Sequence, residues 1–263
     1  MKKSLFLILF VLALAACSNK PTTTLTVITS PSTEPSTNTD SSVSKKVSEC
    51  ENNQEILDTY LNNKLNLEYE TDEIGKTTAT KLFINYVQNS NNKTIQTKNG
   101  CYYYSDTHST FVNRTHIAYF NGEQVSLKDK SEDYEDISLE TYVNTYGVNP
   151  FSRNLFGMII SEETILNLEK EEIEGGFRLT IDLDVETATN NCKIQMKEFG
   201  DLNDYPVFAS VRLTVEMDDS FTPIKETSYS EYTVNAPVLG TTSCVQELTK
   251  TYIVGENITI PSK

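Results

Sequence analysis

The sequence contains no tryptophan and only two histidines, His108 and His116, among its 263 residues. Nucleophilic catalysis needs a serine or cysteine beside a base, and two histidines offer few ways to build such a site. The GxSxG, HExxH, phosphate-loop and GxGxxG motifs are also missing. Carboxylate pairs for glycoside hydrolysis would lack the aromatic platform that tryptophan supplies. We therefore expect a protein that is not an enzyme and that uses no cofactor.

The same scarcity of histidine argues against a metal centre. His108 and His116, with Asp106 and Cys101 close by, could bind an ion if their side chains shared one strand face. A pair of exposed strand histidines is the preferred interpretation. The acidic residues from Asp129 to Asp136 lack the spaced Asp/Asn-Gly loop of a calcium site, so we expect a solvated acidic loop there and no bound metal.

Positive charge is in short supply, since 22 Lys and Arg residues stand against 37 Asp and Glu residues, a formal net charge of -15. An excess of this size keeps a domain soluble and repels it from nucleic acid and from anionic lipid head groups. We therefore do not expect nucleic acid among the partners of this protein.

A single long apolar run occurs, from Leu5 to Ala16, directly after two lysines. It is shorter than the roughly twenty residues that a membrane-spanning helix needs, and its order is typical of a secretory signal peptide. The stretch Leu14-Ala15-Ala16-Cys17 resembles the bacterial lipobox. The resemblance implies that residues 1–16 are removed and that Cys17 receives a diacylglyceryl thioether, holding the chain to the cell membrane on its extracytoplasmic side.

Large apolar residues are nearly missing from the segment that follows Cys17. From Ser18 to about Val47 the chain is rich in Ser, Thr and Pro, and such a segment cannot bury enough surface to offset its conformational entropy. We expect residues 17–47 to be a lipidated, disordered tether. Residues 48–263 are sufficient for a single domain with one core.

Four cysteines remain after Cys17, and they are Cys50, Cys101, Cys192 and Cys244. Their spacings are too wide for a CxxC-type zinc or redox site. An even number in an exported chain allows two disulfides in any of three pairings, and four free buried thiols are the alternative. We expect at least one disulfide among these residues.

Two segments alternate strictly between apolar and polar residues, Phe177–Val185 and Ala209–Met217, which predicts strands with one buried face. Apolar stripes predict helices over Ile56–Leu65 and Ala188–Phe199. The apolar cluster Leu155–Ile160 predicts a short buried helix.

Turn signals divide the first half of the chain into further strands. The segment Lys81–Val87 is rich in β-forming residues, Ser90-Asn91-Asn92 predicts a turn, and Thr94–Ser105 predicts the next strand. Asn121-Gly122 favours a tight hairpin turn. Strands joined by short turns predict an antiparallel sheet.

The order of these elements resembles the half-barrel domain of the LolA, LppX and RseB superfamily. The likeness is carried by Gly176-Phe177-Arg178-Leu179-Thr180-Ile181, by Val211–Asp218 with Thr222-Pro223-Ile224-Lys225 after it, and by Ile258-Thr259-Ile260-Pro261. It implies an α+β fold in which a strongly curved antiparallel sheet is covered on its concave face by a few helices. It also implies a cavity between them that can hold a lipid or an acyl chain.

These observations predict a membrane-anchored, non-enzymatic lipoprotein that binds or carries a lipid-like hydrophobic ligand, provided that the helices cover the sheet incompletely. If they cover it completely, the alternative is a cell-surface protein–protein interaction or sensor domain with a solid core. No ligand residue of the family transfers to this sequence by position. The ligand-binding residues and any protein partner are therefore left open.

Overall fold

The computed structural model describes residues 45–109, 113–236 and 239–263, so the signal peptide, Cys17 and most of the predicted tether lie outside the described residues. Its strands are β1 Tyr69–Lys81, β2 Ile84–Thr97, β3 Gly100–His108, β4 Asn113–Asn121, β5 Gln124–Asp129, β6 Glu135–Ser138, β7 Ile165–Ile173, β8 Gly176–Leu183, β9 Val207–Met217, β10 Pro223–Ala236 and β11 Gly240–Val254. Its helices are α1 Asn53–Asn66, α2 Leu139–Tyr146, α3 Val185–Ala188 and α4 Asn190–Phe199, preceded by a 3-10 turn at Val47–Glu49.

The strands form one open antiparallel sheet in the order β6-β5-β4-β3-β2-β1-β11-β10-β9-β8-β7. Two meanders, β1 to β6 and β7 to β11, are joined by the pairing of the first strand with the last, from Tyr69 opposite Val254 to Thr80 opposite Ser243. The segment between β6 and β7 contains α2 and crosses the concave face. The predicted α+β fold, an open antiparallel sheet with a few helices, is confirmed.

Helix α1 forms where the apolar stripe predicted it. The Asn52 side chain accepts a hydrogen bond from the Glu55 backbone N–H at 2.9 Å and so caps the first turn. Ile56, Leu57 and Leu61 recur at helical spacing and are at most 1% exposed. Their burial fixes α1 against the sheet.

The apolar core is divided into two parts. The larger part lies under α1, α3 and α4 against β8, β9 and β10, and includes Leu179, Leu213 and Phe221. The smaller part lies between α2 and strands β3, β4 and β5, and includes Phe120 and Tyr142. The central strands β1, β2 and β11 lie between the two cores, so the helices cover the sheet at its sides and leave its middle less filled.

The prediction of a helix at Leu155–Ile160 is wrong. Leu155 and Met158 instead exchange backbone hydrogen bonds across a tight turn, in which Phe156 and Gly157 have φ values of 51° and 75°. Left-handed residues cannot continue a helix, although the apolar side chains are buried as expected. The helix between β6 and β7 is instead α2, which begins after the Ser138 cap and packs in the smaller core.

The strands and turn predicted over residues 81–105 are shifted. Lys81 ends β1, the two-residue turn Leu82-Phe83 follows, and β2 then runs through Ser90-Asn91-Asn92 without a break. Leu82 and Phe83 have φ values of 47° and 69°, a conformation that Gly or Asn usually provides in such turns. The sequence therefore carried no turn signal where the hairpin bends.

Ordered packing begins slightly before residue 48. Val47 is fully buried in the larger core, and its backbone N–H donates to the Asp219 carbonyl at 3.0 Å. Residues 45–47, which the sequence assigns to the tether, therefore belong to the described fold.

Candidate functional site in the concave face

A cavity of about 310 Å³ lies over the middle of the concave face, between the two cores. One wall is the sheet, with residues from β1, β2, β3, β10 and β11. The opposite wall is the segment 147–158 together with α4 and the residues that follow it. Of the two alternatives that the sequence left open, the helices thus cover the sheet incompletely and leave a partly open cavity rather than packed core.

The two walls of the cavity differ in chemistry. The wall opposite the sheet includes the apolar side chains of Val148, Phe156, Met158, Met196 and Leu202. The sheet wall contains tyrosines but is otherwise rich in hydroxyl and amide side chains, including Thr71, Thr77, Gln88, Ser90, Asn92, Thr94, Ser105, Thr107, Ser228, Thr242 and Gln246. Asn149, Ser152, Asn154 and Gln195 also lie in the wall opposite the sheet, so this wall is mainly apolar and the sheet wall mainly polar.

Four polar side chains, here named the polar row, cross the sheet wall on adjacent strands: Asn92, Glu73, Lys250 and Glu226. Each is the direct cross-strand partner of the next. The Asn92 amide Nδ2 donates to Glu73 Oε1 at 2.6 Å. Lys250 Nζ lies 3.3 Å from Glu73 Oε2 and 3.6 Å from Glu226 Oε2, so the ammonium is shared between two carboxylates.

Helix α1 closes one end of the polar row. Tyr60 and Lys64 lie one helical turn apart and therefore on one face. The Tyr60 hydroxyl and Lys64 Nζ each donate to Glu226 Oε1 at 2.8 Å. Burial by itself would raise the pKa of Glu226, but the charges of Lys64 and Lys250 outweigh it and lower this pKa to about 2. Burial lowers the pKa of Lys64, against the attraction of Glu226.

The same register continues from Asn92 through Ser105 and His116 to Asp129. His116 Nε2 is hydrogen-bonded to the Tyr142 hydroxyl at 2.8 Å, and its Nδ1 lies 3.6 Å from Asp129, too far for a hydrogen bond. Burial lowers the pKa of His116. Buried polar groups therefore extend across seven neighbouring strands of the concave face.

The expectation that both histidines are exposed is wrong for His116, which is 1% exposed. His108 does lie at the surface, where its Nε2 is 2.7 Å from Asp106 Oδ2. The two histidines occupy different strands and opposite faces of the sheet. Among residues 45–109, 113–236 and 239–263, no group of three His, Cys, Asp or Glu side chains is placed to hold a metal ion.

The four predicted disulfide cysteines are free thiols in the structure. Cys101 lies in the smaller core, whereas Cys192 and Cys244 lie in the larger core and line the cavity. Burial raises the pKa of the Cys101 and Cys192 thiols to about 12. A disulfide among the four stays a prediction, which mass spectrometry of the exported protein under non-reducing conditions would test.

Residues 1–18 match the family model of the prokaryotic membrane lipoprotein lipid attachment site. The chain is a membrane lipoprotein of the prokaryotic type. The matched segment ends just after Cys17, the residue that the lipobox resemblance marks for lipidation. Within the part of the lipoprotein that the structure describes, no helix has the length and apolar character needed to cross a membrane.

The lipoprotein is similar to a Vibrio parahaemolyticus domain described as an outer membrane lipoprotein-sorting protein: 9% identity and a TM-score of 0.30, over 79% of this chain and 95% of that one. A LolA superfamily protein from Nitrosomonas europaea gives 11% identity and a TM-score of 0.29, over 80% and 94%. A DUF1329 family protein from Desulfovibrio piger gives 8% and 0.28, over 79% and 95%. No curated protein matches the chain. The fold stated above rests on the strand order and pairing of this chain.

Proposed function

We propose that this lipoprotein is a non-enzymatic protein, held at the extracytoplasmic side of the membrane, that binds a lipid-like hydrophobic ligand in its concave cavity. The cavity is the observation that supports the proposal, because a solid core would have removed the space for a ligand. Its volume of about 310 Å³ falls in the range of small-molecule sites, roughly 300–1,000 Å³.

The apolar wall provides the driving force for binding. Each methylene group that leaves water against Phe156, Met158 and Met196 contributes about 0.8 kcal/mol. The lipid attachment site supports the proposal, because a bilayer is a source of such ligands.

Native mass spectrometry of the mature chain from Ser18 to Lys263, exported without the lipidated Cys17, tests the proposal directly. Any lipid found is then cargo and not anchor. We expect a co-purifying apolar mass, or uptake of added short-chain diacylglycerol. A mass equal to that of the bare chain, with no uptake, would contradict the proposal.

Two neighbouring threonines on β1 provide a matched pair of variants. Thr77 lines the cavity, whereas Thr78 lies on the opposite face of the same strand. Thr77→Trp fills part of the space and is expected to abolish ligand uptake. Thr78→Trp adds the same side chain outside the cavity and is expected to leave uptake unchanged. Equal loss in both variants would show that uptake does not occur in this cavity.

A second candidate function, a protein–protein interaction domain, is favoured by the tip of the β1–β2 hairpin. Leu82, Phe83 and Ile84 are 82%, 102% and 55% exposed there, an apolar group that no other described part of the chain covers. Surface crosslinking of the anchored lipoprotein should then capture a protein partner, and the double variant Leu82→Ser/Phe83→Ser should lose it. Unchanged capture by the double variant would count against this tip as the contact.

A further inference from the structure

The charged side chains at the cavity are already neutralised by one another. Among the described residues that line the cavity, three carry charge. Glu73 and Lys250 belong to the polar row, and Lys64 contacts it. Lys64 is paired with Glu226, and Lys250 lies between Glu226 and Glu73. The two ammonium groups and two carboxylates sum to zero, so no ammonium group is left over for a phosphate and no carboxylate for a cation.

The other hydrogen-bonding groups that line the cavity are uncharged. The sheet wall presents hydroxyl side chains such as Ser90, Thr94 and Ser105, which can both donate and accept. The unpartnered acceptors Asn92 Oδ1 and Asn154 Oδ1 are fully buried and lie out of a ligand's reach. A ligand that supplies hydroxyl groups can therefore replace the hydrogen bonds that the lining hydroxyls make with water.

We infer that the cavity selects an amphiphile with an uncharged, hydroxyl-bearing head group. The head group lies against the polar row and the neighbouring serine and threonine hydroxyls, and the alkyl part lies against the apolar wall. A net charge on the head group would be moved from water into a site with no opposite charge to spare, which is unfavourable. This inference rests on the proposed function and names the class of ligand that the cavity takes.

Three probes with the same octyl chain separate head-group selection from simple apolar binding. They are octyl glucoside, which is neutral and rich in hydroxyls, octyl sulfate, which is anionic, and octyltrimethylammonium, which is cationic. Calorimetric titration of the mature chain below the micelle concentration of each probe should give the highest affinity for octyl glucoside, by about tenfold or more. Equal affinities would overturn head-group selection while leaving the proposed function intact. Absence of binding by all three probes, together with no lipid uptake, would contradict both.

Charge substitution in the polar row should change the selected head group. Glu73→Gln keeps the shape of the side chain but leaves the row with one excess positive charge, so affinity for octyl sulfate should rise about tenfold relative to octyl glucoside. Glu70→Gln, on the same strand but the opposite face, is the matched control and should leave the order unchanged. An unchanged order in Glu73→Gln would overturn the inference.

Removal of one lining hydroxyl provides a second variant that keeps all charges. Ser90→Ala should lower the affinity for octyl glucoside about threefold to tenfold, the usual effect of one hydrogen bond, and leave octyl sulfate unaffected. Ser210→Ala removes the same hydroxyl from an exposed position of β9 and should have no effect. An equal decrease for both probes in Ser90→Ala would show a general loss of packing and contradict the assigned role.

Discussion

The buried pair formed by Glu226 and Lys64 allows a quantitative test of the structure. Glu226→Gln keeps the size of the side chain but removes its negative charge, so Lys64 is left buried without a counter-charge. Removing one partner of a buried pair destabilises a protein by about 3–5 kcal/mol. The lowering of the Glu226 pKa from 4.5 to about 2 corresponds to roughly 3 kcal/mol at neutral pH. Both routes give a large share of the 5–15 kcal/mol that stabilises a typical domain.

Urea unfolding of the mature chain, followed by circular dichroism at neutral pH, measures this loss. Lys64→Met and the double variant Lys64→Met/Glu226→Gln complete a double-mutant cycle, and the double variant should lose at least about 1 kcal/mol less than the two single losses together. Glu247→Gln, an exposed glutamate on the adjacent strand, should change stability by less than about 0.5 kcal/mol. A loss below about 1 kcal/mol for Glu226→Gln would refute the reasoning, because the carboxylate would then not be compensating a buried ammonium.

Three further predictions follow from the fold. Val47→Ala should lower the free energy of unfolding by about 1–3 kcal/mol in the same urea assay, because its side chain is fully buried; a change near zero would place residue 47 outside the core. Stability should fall as the pH drops below about 6.5, because burial lowers the folded-state pKa of His116 and the unfolded chain takes up this proton first, whereas the lowered pKa of Asp129 adds to the loss only below about pH 4; a urea midpoint that stays constant from about pH 7 to 5 would contradict the His116 contribution. The double substitution Leu82→Asn/Phe83→Gly should raise the unfolding free energy by about 1–3 kcal/mol, because both turn residues have positive φ; a lower value would show that the apolar tip has stabilising contacts.

The elements predicted best from the sequence are those with one face in the core. Phe177–Val185 and Ala209–Met217 alternate because β8 and β9 place every second side chain against the larger core. The stripe of α1 is equally clear, since its buried residues face the same core. Packing against the core therefore produces the apolar periodicity from which the fold class can be predicted.

The central strands were harder to predict because their inward side chains face the cavity. Thr71, Glu73 and Asn92 occupy inward positions of β1 and β2 where a core strand would carry Val, Ile or Leu. The apolar alternation that indicates a strand is consequently missing there. The polar side chains that make β1 and β2 hard to predict from the sequence are the same ones that line the candidate site.

The site residues themselves could not be predicted from the sequence. Glu226 and Lys64 are 162 positions apart, and their contact depends on how α1 lies across β10. Lys250 meets Glu73 because the last strand pairs with the first. A single sequence shows no signal for such long-range partners, although the inward Glu226, Ser228 and Ser230 already mark β10 as unusually polar for a buried face.

The open sheet has a consequence for how copies of this lipoprotein share a membrane surface. In the described part of the chain, β6 and β7 each pair with one strand and so form the two edges of the sheet, and the Asn53 side chain of α1 donates to the Leu168 carbonyl of β7 at 3.0 Å. Free edges invite strand addition from a neighbouring molecule, and lipid anchors confine such neighbours to two dimensions. Negative charge at both edges opposes such addition. Strand β6 carries Glu135 and Asp136, and β7 carries Glu169, Glu171 and Glu172. Like charges on two such borders repel, which disfavours edge-to-edge pairing of crowded copies.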